Sequence, residues 1–535
     1  MRTLTSKADL SDVMTRAAQE YGLRGRVVGY GHLWQHFDAQ APLRSFEVQT
    51  ETSFNKHERD VDGVRWRSAK WPGDAPYDHL EYAVRRESID LLLLKRIFEK
   101  IEGSDLVDLT EAIRSRPTAA NARRIWFFYE WLTGRTLDLP DAKVGNYEVA
   151  LDPDVYCARS KSASSASRRH RVIDNLPGSS RFCAITRRSA LVDLATDYGT
   201  RIRSTIAEHD PALMRRAVSH IVLKDSRASF EIEGEVTSSR GVDERVRRWA
   251  KTLSSAGRRP LDLDYLLSLQ EEVIGNNPMI EKGLRTSGVF LGDHDRDGMP
   301  VPEFIGARPE DVPGLVQGIL GANGSMIGDP EFNPLAHAAA VGFGFVYAHP
   351  LEDGNGRIHR YLLQHVLAER KVSPSGVIFP VSSVIAERIE DYAEVLKRHS
   401  QPLMEFIPWQ ATPNGNVDVL ADTSDLYRYP DVTDQAQFVA ECINRTIDHE
   451  LPEEIRYLRG FDDAKAAIRD IAEMSDVKAN LLITLIRQNG GVLSKKKRKA
   501  DYDSLSPEAL DAIEGAVRES FGIEAAASGD DRRPD

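Results

Sequence analysis

The chain has 535 residues, 41% of them hydrophobic and 28% charged, which excludes disordered and fibrous classes and predicts two to four domains with sizeable cores. A formal net charge of −12 argues against wholesale binding to nucleic acid or to an anionic membrane, and leaves room only for a local basic cleft. Cys157, Cys183 and Cys442 are too few and too scattered for a disulfide framework or a C-x-x-C metal site, so a reducing cytoplasmic setting is expected.

The polar N-terminus lacks an apolar signal region, so no export is expected. Apolar clusters such as Ile89–Leu94 fall far short of the roughly 20 residues that span a bilayer, so no membrane partner is expected either. Residues 1–195 read as a mixed α/β domain of unknown role. It has a strand-like run over Arg26–Tyr30 and helical pattern over Leu80–Glu102 and Ala119–Leu132. The Ser-rich basic stretch Arg159–Arg171 reads as a solvated loop.

From about 196 to 405, within a domain expected to span 196–415, the pattern is strongly helical, with start signals at Asp210-Pro211 and Asn333-Pro334. Two strand-like runs between Thr286 and Gly306 flank Asp293–Gly298 and predict a β-hairpin. Asp293, Asp295 and Asp297 imitate half of a calcium loop, but its twelfth position is Phe304, so a polar turn is expected. Residues 416–535 predict a helical C-terminal domain. Its last helix is announced by Ser506-Pro507, and a frayed tail follows from Ala525. Lys495–Lys499 reads as a solvated turn, a winged-helix module touching nucleic acid being the alternative.

The decisive segment is His349-Pro350-Leu351-Glu352-Asp353-Gly354-Asn355-Gly356-Arg357-Ile358-His359-Arg360, a loop between two predicted helices. A glycine-rich turn opening a helix offers unpaired N–H groups and the positive end of the helix dipole to an anion. Arg357 and Arg360 share a face of the first turns and can fork onto a polyphosphate. Asp353 beside phosphate oxygens suits Mg²⁺, and His349 can take a proton from an attacking hydroxyl. His337, His359 and His365, on the same two helices, read as packing or surface residues.

These residues resemble the Fic family motif H-P-F-x-[D/E]-G-N-G-R-x-x-R, with Leu351 where the family has Phe; Leu keeps the apolar anchor with less volume. The resemblance covers the central 200 or so residues. It implies a mainly α fold, a Fic-type helical bundle with a hairpin flap, and transfer of AMP from ATP to a protein hydroxyl, on an unknown target or on the chain itself. It makes His349 the base and Asp353 the Mg²⁺ ligand. Asn355 and the backbone of Gly354 and Gly356 would bind the α- and β-phosphates, Arg357 the β-phosphate and Arg360 the γ-phosphate. Upstream, Ser229-Phe230-Glu231-Ile232-Glu233-Gly234 resembles the family's inhibitory motif [S/T]-x-x-x-E-[G/N]. That resemblance implies that Glu233, supported by Ser229, pairs with Arg360 where the γ-phosphate would lie, with Gly234 ending the helix. The Thr286–Leu291 run and its hairpin resemble the flap that clamps a target by strand addition. Removal of AMP from a modified protein, a nucleotide sensor with a DNA-binding C-terminal region, and donors other than ATP stay open. So does a homodimer.

Overall fold

The computed structural model describes residues 3–50, 58–61, 64–67, 70–192, 197–235, 240–275, 277–373 and 377–524; the tail expected to fray lies outside them. Helix α1 (Lys7–Tyr21) starts where Ser6 and Asp9 cap each other's amides. Strand β1 (Gly25–Val28) passes directly into α2 (Gly29–Phe37), two residues before the strand expected to reach Tyr30. Gly29 adopts φ +57°, and the Gly29 and Tyr30 amides donate to His79 Nδ1 (3.2 Å) and Glu87 (2.7 Å), so neither is left for a strand. β2 (Glu47–Thr50), β3 (Glu58–Val61) and β4 (Val64–Arg67) complete a sheet of order β1-β2-β4-β3 in which β2 and β4 run parallel.

The helical run expected over 80–102 is two helices, α3 (Pro76–Arg86) and α4 (Leu91–Lys100), because Asp90 leaves helical geometry to cap the Leu93 amide at 3.0 Å. After α5 (Gly103–Arg114) and α6 (Ala120–Thr133) comes a small sheet of β5 (Glu148–Val149), β6 (Ser165–Ser167) and β7 (Val172–Asp174) in the order β5-β7-β6. The Ser-rich stretch expected to be a solvated loop therefore contributes a strand. Its Arg169 and His170 each meet Glu130 of α6 at 2.9 Å, a partner that local sequence could not reveal.

The chain then becomes almost wholly helical, and the fold as a whole is mainly α. Short α7 (Ser189–Val192) and α8 (Tyr198–Ala207) lead to α9 (Pro211–Ile232), α10 (Arg240–Leu253) and α11 (Leu263–Ile274). The hairpin of β8 (Phe290–His294) and β9 (Pro300–Ile305) follows, then α12 (Val312–Ile327), α13 (Pro334–Ala348) and α14 (Asn355–Glu369). Asp210 caps α9 and Asn333 caps α13, each ahead of a proline in the first turn. Every residue of α13 from Leu335 to Ala348 is buried, as a helix apolar but for His337 demands, with α12, α14 and α18 (Thr433–Arg445) packed around it. Its small residues admit these neighbours: a Cβ on Gly342 would stand 2.6 Å from the Leu363 side chain.

α15 (Val381–Glu387), α16 (Ile389–Met404), the β10 (Trp409–Ala411) and β11 (Val417–Val419) hairpin and α17 (Ser424–Arg428) precede α18. A π-helical turn over Thr446–Glu450 joins α18 to α19 (Leu451–Ile471), which is followed by α20 (Asp476–Gln488), α21 (Lys495–Asp501) and α22 (Pro507–Phe521). One buried cluster extends from Leu4 to Leu458; a second, smaller one joins Ala464 and Ile468 of α19 to Leu482, Ile486, Leu510, Ile513 and Val517. The lysines read as a turn open α21, where Ser494 caps the helix and Lys495, Lys496, Lys497 and Lys499 are exposed. Among the described residues no helix is long and apolar enough to cross a membrane.

Candidate active site

The loop joining α13 to α14 is set by its own residues. Leu351 is fully buried beneath it. The Asn355 side chain closes it from within, accepting from the Leu351 amide at 3.0 Å and donating to the Leu351 carbonyl at 2.8 Å. Gly354 takes φ +94° at the helix N-cap, a left-handed conformation that a side chain would strain. No side chain caps α14, and its first intrahelical bond runs from the Ile358 amide to the Gly354 carbonyl at 2.9 Å. The Asn355, Gly356 and Arg357 amides therefore head the helix as an anion seat. The Gly354 amide is committed to Asp353 Oδ1 (2.5 Å), and the Asn355 side chain to the loop, so both residues offer a ligand less than their sequence pattern implies.

His349 follows directly on α13 in a left-handed conformation, φ +49°. Arg285 holds it there from below. Fully enclosed, its guanidinium donates to the carbonyls of His349 (2.6 Å), Ser287 (2.7 Å) and Ala307, and its amide donates to the Pro350 carbonyl at 2.9 Å. The His349 Nδ1 lies 3.3 Å from the Val346 carbonyl, which fixes the proton on Nδ1 and leaves Nε2 as the acceptor. Burial, reinforced by the Arg285 charge, pushes its pKa down to about 4 against the opposing pull of the Val346 carbonyl, Glu233 and Asp353. The imidazole is thus neutral and able to accept a proton at pH 7.

The C-terminal end of α9 lies against the first turn of α14. Glu233 Oε1 stands 2.8 Å from Arg360 Nη2, and Ser229 supports the same guanidinium through its hydroxyl (3.0 Å) and carbonyl (2.8 Å). A Cβ built on Gly356 would run into the Glu233 carboxylate, which places that carboxylate against the first turn of α14. Burial would raise the Glu233 pKa, but the Arg360 charge and hydrogen bond, aided by Arg357 and His349, outweigh it and hold the group below the ordinary value. Gly234 at φ +76° then ends the helix.

Arg357 is nearly enclosed, with 4% of its side chain exposed, and meets Asp353 at 2.9 Å and Glu235. Its Nε is a buried donor with no protein partner. His337, His359 and His365 are buried in the helix packing. The hairpin stands over His349, with the Phe304 ring 5.9 Å from the imidazole, while Leu291, Met299 and Val301 on it are about half exposed. Its turn is polar: Asp295 accepts from the Asp297 and Met299 amides. Arg285 and Glu235 are the site residues that sequence reasoning missed. For Arg285 there was no signal; for Glu235 the only one was a second acid just beyond Glu233-Gly234.

The fold and the site define a helical bundle whose glycine-rich loop opens a helix onto two arginines and a histidine. Residues 260–367 match the Fic/DOC family. The chain is 30% identical over 173 residues to protein adenylyltransferase fic-1 of Caenorhabditis briggsae, a match covering 32% of this chain and 31% of that protein. With fic-1 of Caenorhabditis elegans it shares 28% over 175 residues, 32% and 30% of the two chains. With protein adenylyltransferase Fic of Nematostella vectensis it shares 24% over 241 residues, 44% of each. The chain thus spans between about a third and less than half of these relatives' lengths. Among solved structures, a Fic-domain signalling protein from Bacteroides thetaiotaomicron gives a TM-score of 0.36 at 19% identity, covering 48% of this chain and 95% of that one. A Fic family protein from Desulfovibrio desulfuricans gives 0.32 at 20% identity, covering 63% and 85%.

Proposed function

We propose that this protein is an adenylyltransferase that moves AMP from ATP to a hydroxyl of a protein, an unknown target or itself, and that Glu233 restrains it. The observation that carries this reading is a carboxylate lodged against Gly356 and Arg360, on the first turn of the helix that heads the anion seat, near a neutral His349. An anion-binding helix start whose second arginine is already held by the chain's own carboxylate is a site held closed.

In the open state the Asn355, Gly356 and Arg357 amides would hold the phosphates, with Arg357 and Arg360 along the chain. The unpartnered Arg357 Nε supports this, since a buried donor without a partner is costly unless a ligand meets it. His349 Nε2 would take the proton as the hydroxyl oxygen bonds to the α-phosphorus. The bond to the β-phosphate then breaks and pyrophosphate leaves. Asp353 fits Mg²⁺, because a single carboxylate suffices where phosphates and water supply the other ligands; its side chain is 41% exposed and Oδ1 takes both its protein bonds. Bound there, the ion would neutralise phosphate charge. The hairpin, with half-exposed Leu291 and Val301, would align a target segment by strand addition.

We assign this chemistry to residues 196–415, flanked by an N-terminal domain over 1–195 and a C-terminal helical domain over 416–535. We place the protein in the cytoplasm, in keeping with three buried cysteines that are all free. The test is intact-mass analysis of Glu233→Gly incubated with Mg²⁺ and each nucleoside triphosphate in turn, alone and in a lysate. An added AMP group with ATP is expected; no labelled protein with any nucleotide would sink the assignment.

A further inference from the structure

We propose that Glu235 is a second inhibitory carboxylate, which occupies Arg357 and so excludes the phosphate next to the loop, as Glu233 excludes the one beyond it. This rests on the nucleotide-transfer reading above.

The chain beyond α9 doubles back. With Gly234 at φ +76°, the Glu235 amide returns to the Phe230 carbonyl at 3.1 Å. That turn carries the Glu235 carboxylate onto two arginines, Arg357 of α14 through Oε1 and Arg245 of α10 through Oε2. Both guanidiniums lie over the Phe230 ring, at 5.2 and 5.4 Å from its centroid, so the aromatic ring of α9 fixes where the two charges sit. Arg245 also reaches towards the Val273 carbonyl at 3.4 Å, which anchors the cluster to α11.

The consequence is electrostatic and positional. Arg357 and Arg360 are three residues apart, roughly 4.5 Å along the helix axis, so they address different phosphates of one chain. Arg357 lies on the turn that contains the seat amides, and Arg360 lies one turn further. Each is held by its own carboxylate from the end of α9, and Asp353 shares Arg357 at 2.9 Å. Asp353, Glu233 and Glu235 therefore balance Arg245, Arg357 and Arg360, and an entering polyphosphate meets a neutral cluster instead of an electropositive one. Removing Glu233 alone frees Arg360 but leaves Arg357 neutralised. A purely structural Glu235, serving only to tie α10 to α9, would not distinguish one nucleotide from another.

That distinction is the test. Full-length wild type, Glu235→Gln, Glu233→Gly and the double variant are titrated calorimetrically with AMP, Mg-ADP and Mg-ATP, and transfer from labelled ATP is measured at subsaturating nucleotide. Glu235→Gln is expected to tighten ADP about tenfold while AMP stays within twofold, and the double variant to transfer about tenfold faster than Glu233→Gly. Equal ADP affinity in wild type and Glu235→Gln, with Glu233→Gly active, overturns the role of Glu235 and leaves the enzyme reading standing. If Glu233→Gly neither binds nor transfers, the reading beneath falls and Glu235 falls with it. Should Glu235→Gln fail to fold, Arg245→Gln, which leaves Glu235 to Arg357 alone and the cluster one positive charge short, is expected to shift ADP affinity in the opposite direction while AMP stays within twofold, and no shift there overturns the inference.

Discussion

At the scale of single residues, the proposed brake is the pairing of the Glu233 carboxylate with the Arg360 guanidinium. Arg360 is 2% exposed and Glu233 29%, so the pair is shielded on one side and the acid is the partner able to leave. If the engaged state leaves about one per cent of molecules competent, a bias of roughly 2.7 kcal/mol, then Glu233→Gly should raise AMP transfer by up to about 100-fold. Labelled-ATP transfer rates check this, and an unchanged rate refutes the brake. In that released background His349→Ala should abolish transfer while Mg-ATP binding measured by calorimetry stays within about threefold, because the imidazole is placed to move a proton and not to hold phosphate. Loss of binding in parallel would mean that His349 only props the loop.

At the scale of elements, the α13–loop–α14 unit was legible because its rules are local. Asn333-Pro334 starts one helix, the glycines permit the turn, and the arginines three residues apart must share a face. What stayed hidden were contacts between distant segments: Arg285 beneath His349, Glu235 on Arg357 122 positions away, and Glu130 on the Ser-rich stretch. Nothing in the neighbouring residues of an arginine tells which carbonyls it will find. The break between α3 and α4 was missed for a similar reason, since Asp90 competes as a cap against an unbroken apolar pattern.

The same unit makes two predictions. Asn355→Ala removes both side-chain bonds to Leu351 and leaves buried backbone groups unpaired, so stability should drop by about 1–3 kcal/mol in urea unfolding, with transfer falling as the loop loosens. The second concerns pH. Burial pushes His337 and His359 down to about 3, and His349 and His365 down to about 4. Below pH 6.5 the unfolded chain binds protons that these folded imidazoles refuse, so each destabilises progressively as pH falls, by about 1.4 kcal/mol per pH unit once well below that value. Asp225, raised to about 7 mainly by burial, has the opposite sign: its folded form keeps a proton that the unfolded form releases above pH 4. Four imidazoles outweigh it, and unfolding measured at pH 7, 6 and 5 should show falling stability. A flat profile would mean that these rings gain protons without unfolding.

At the scale of the molecule, α9 lies between the loop helix and the C-terminal part of the chain. Its inner side reaches α14 and α15 through Asp225, which accepts from Gln364 (3.3 Å) and the Ser383 amide (2.9 Å), and through Ser229 and Glu233 on Arg360. Its other side carries a ladder at four-residue spacing: Arg216 to Asp462 (2.6 Å), His220 to Glu454 (3.1 Å) and Lys224 to Glu450 (2.8 Å). The last rung ends on the π-helical turn that leads into α19. Whatever seats α19 therefore also seats the helix that carries Glu233 to Arg360. Glu450 is 7% exposed whereas Lys224 is 53% exposed, so Lys224→Ala leaves a nearly buried carboxylate with only the longer contact to Arg445 (4.0 Å), at a cost limited by the solvent around the lysine to about 1 kcal/mol. Spent on loosening α9, that amount corresponds to about a fivefold rise in transfer by the otherwise unaltered protein. With Glu233→Gly and Glu235→Gln already present there is no engaged carboxylate left to release, so adding Lys224→Ala should leave the rate unchanged. An equal rise in both backgrounds would show that the ladder acts on the chemistry and not on the docking of α9.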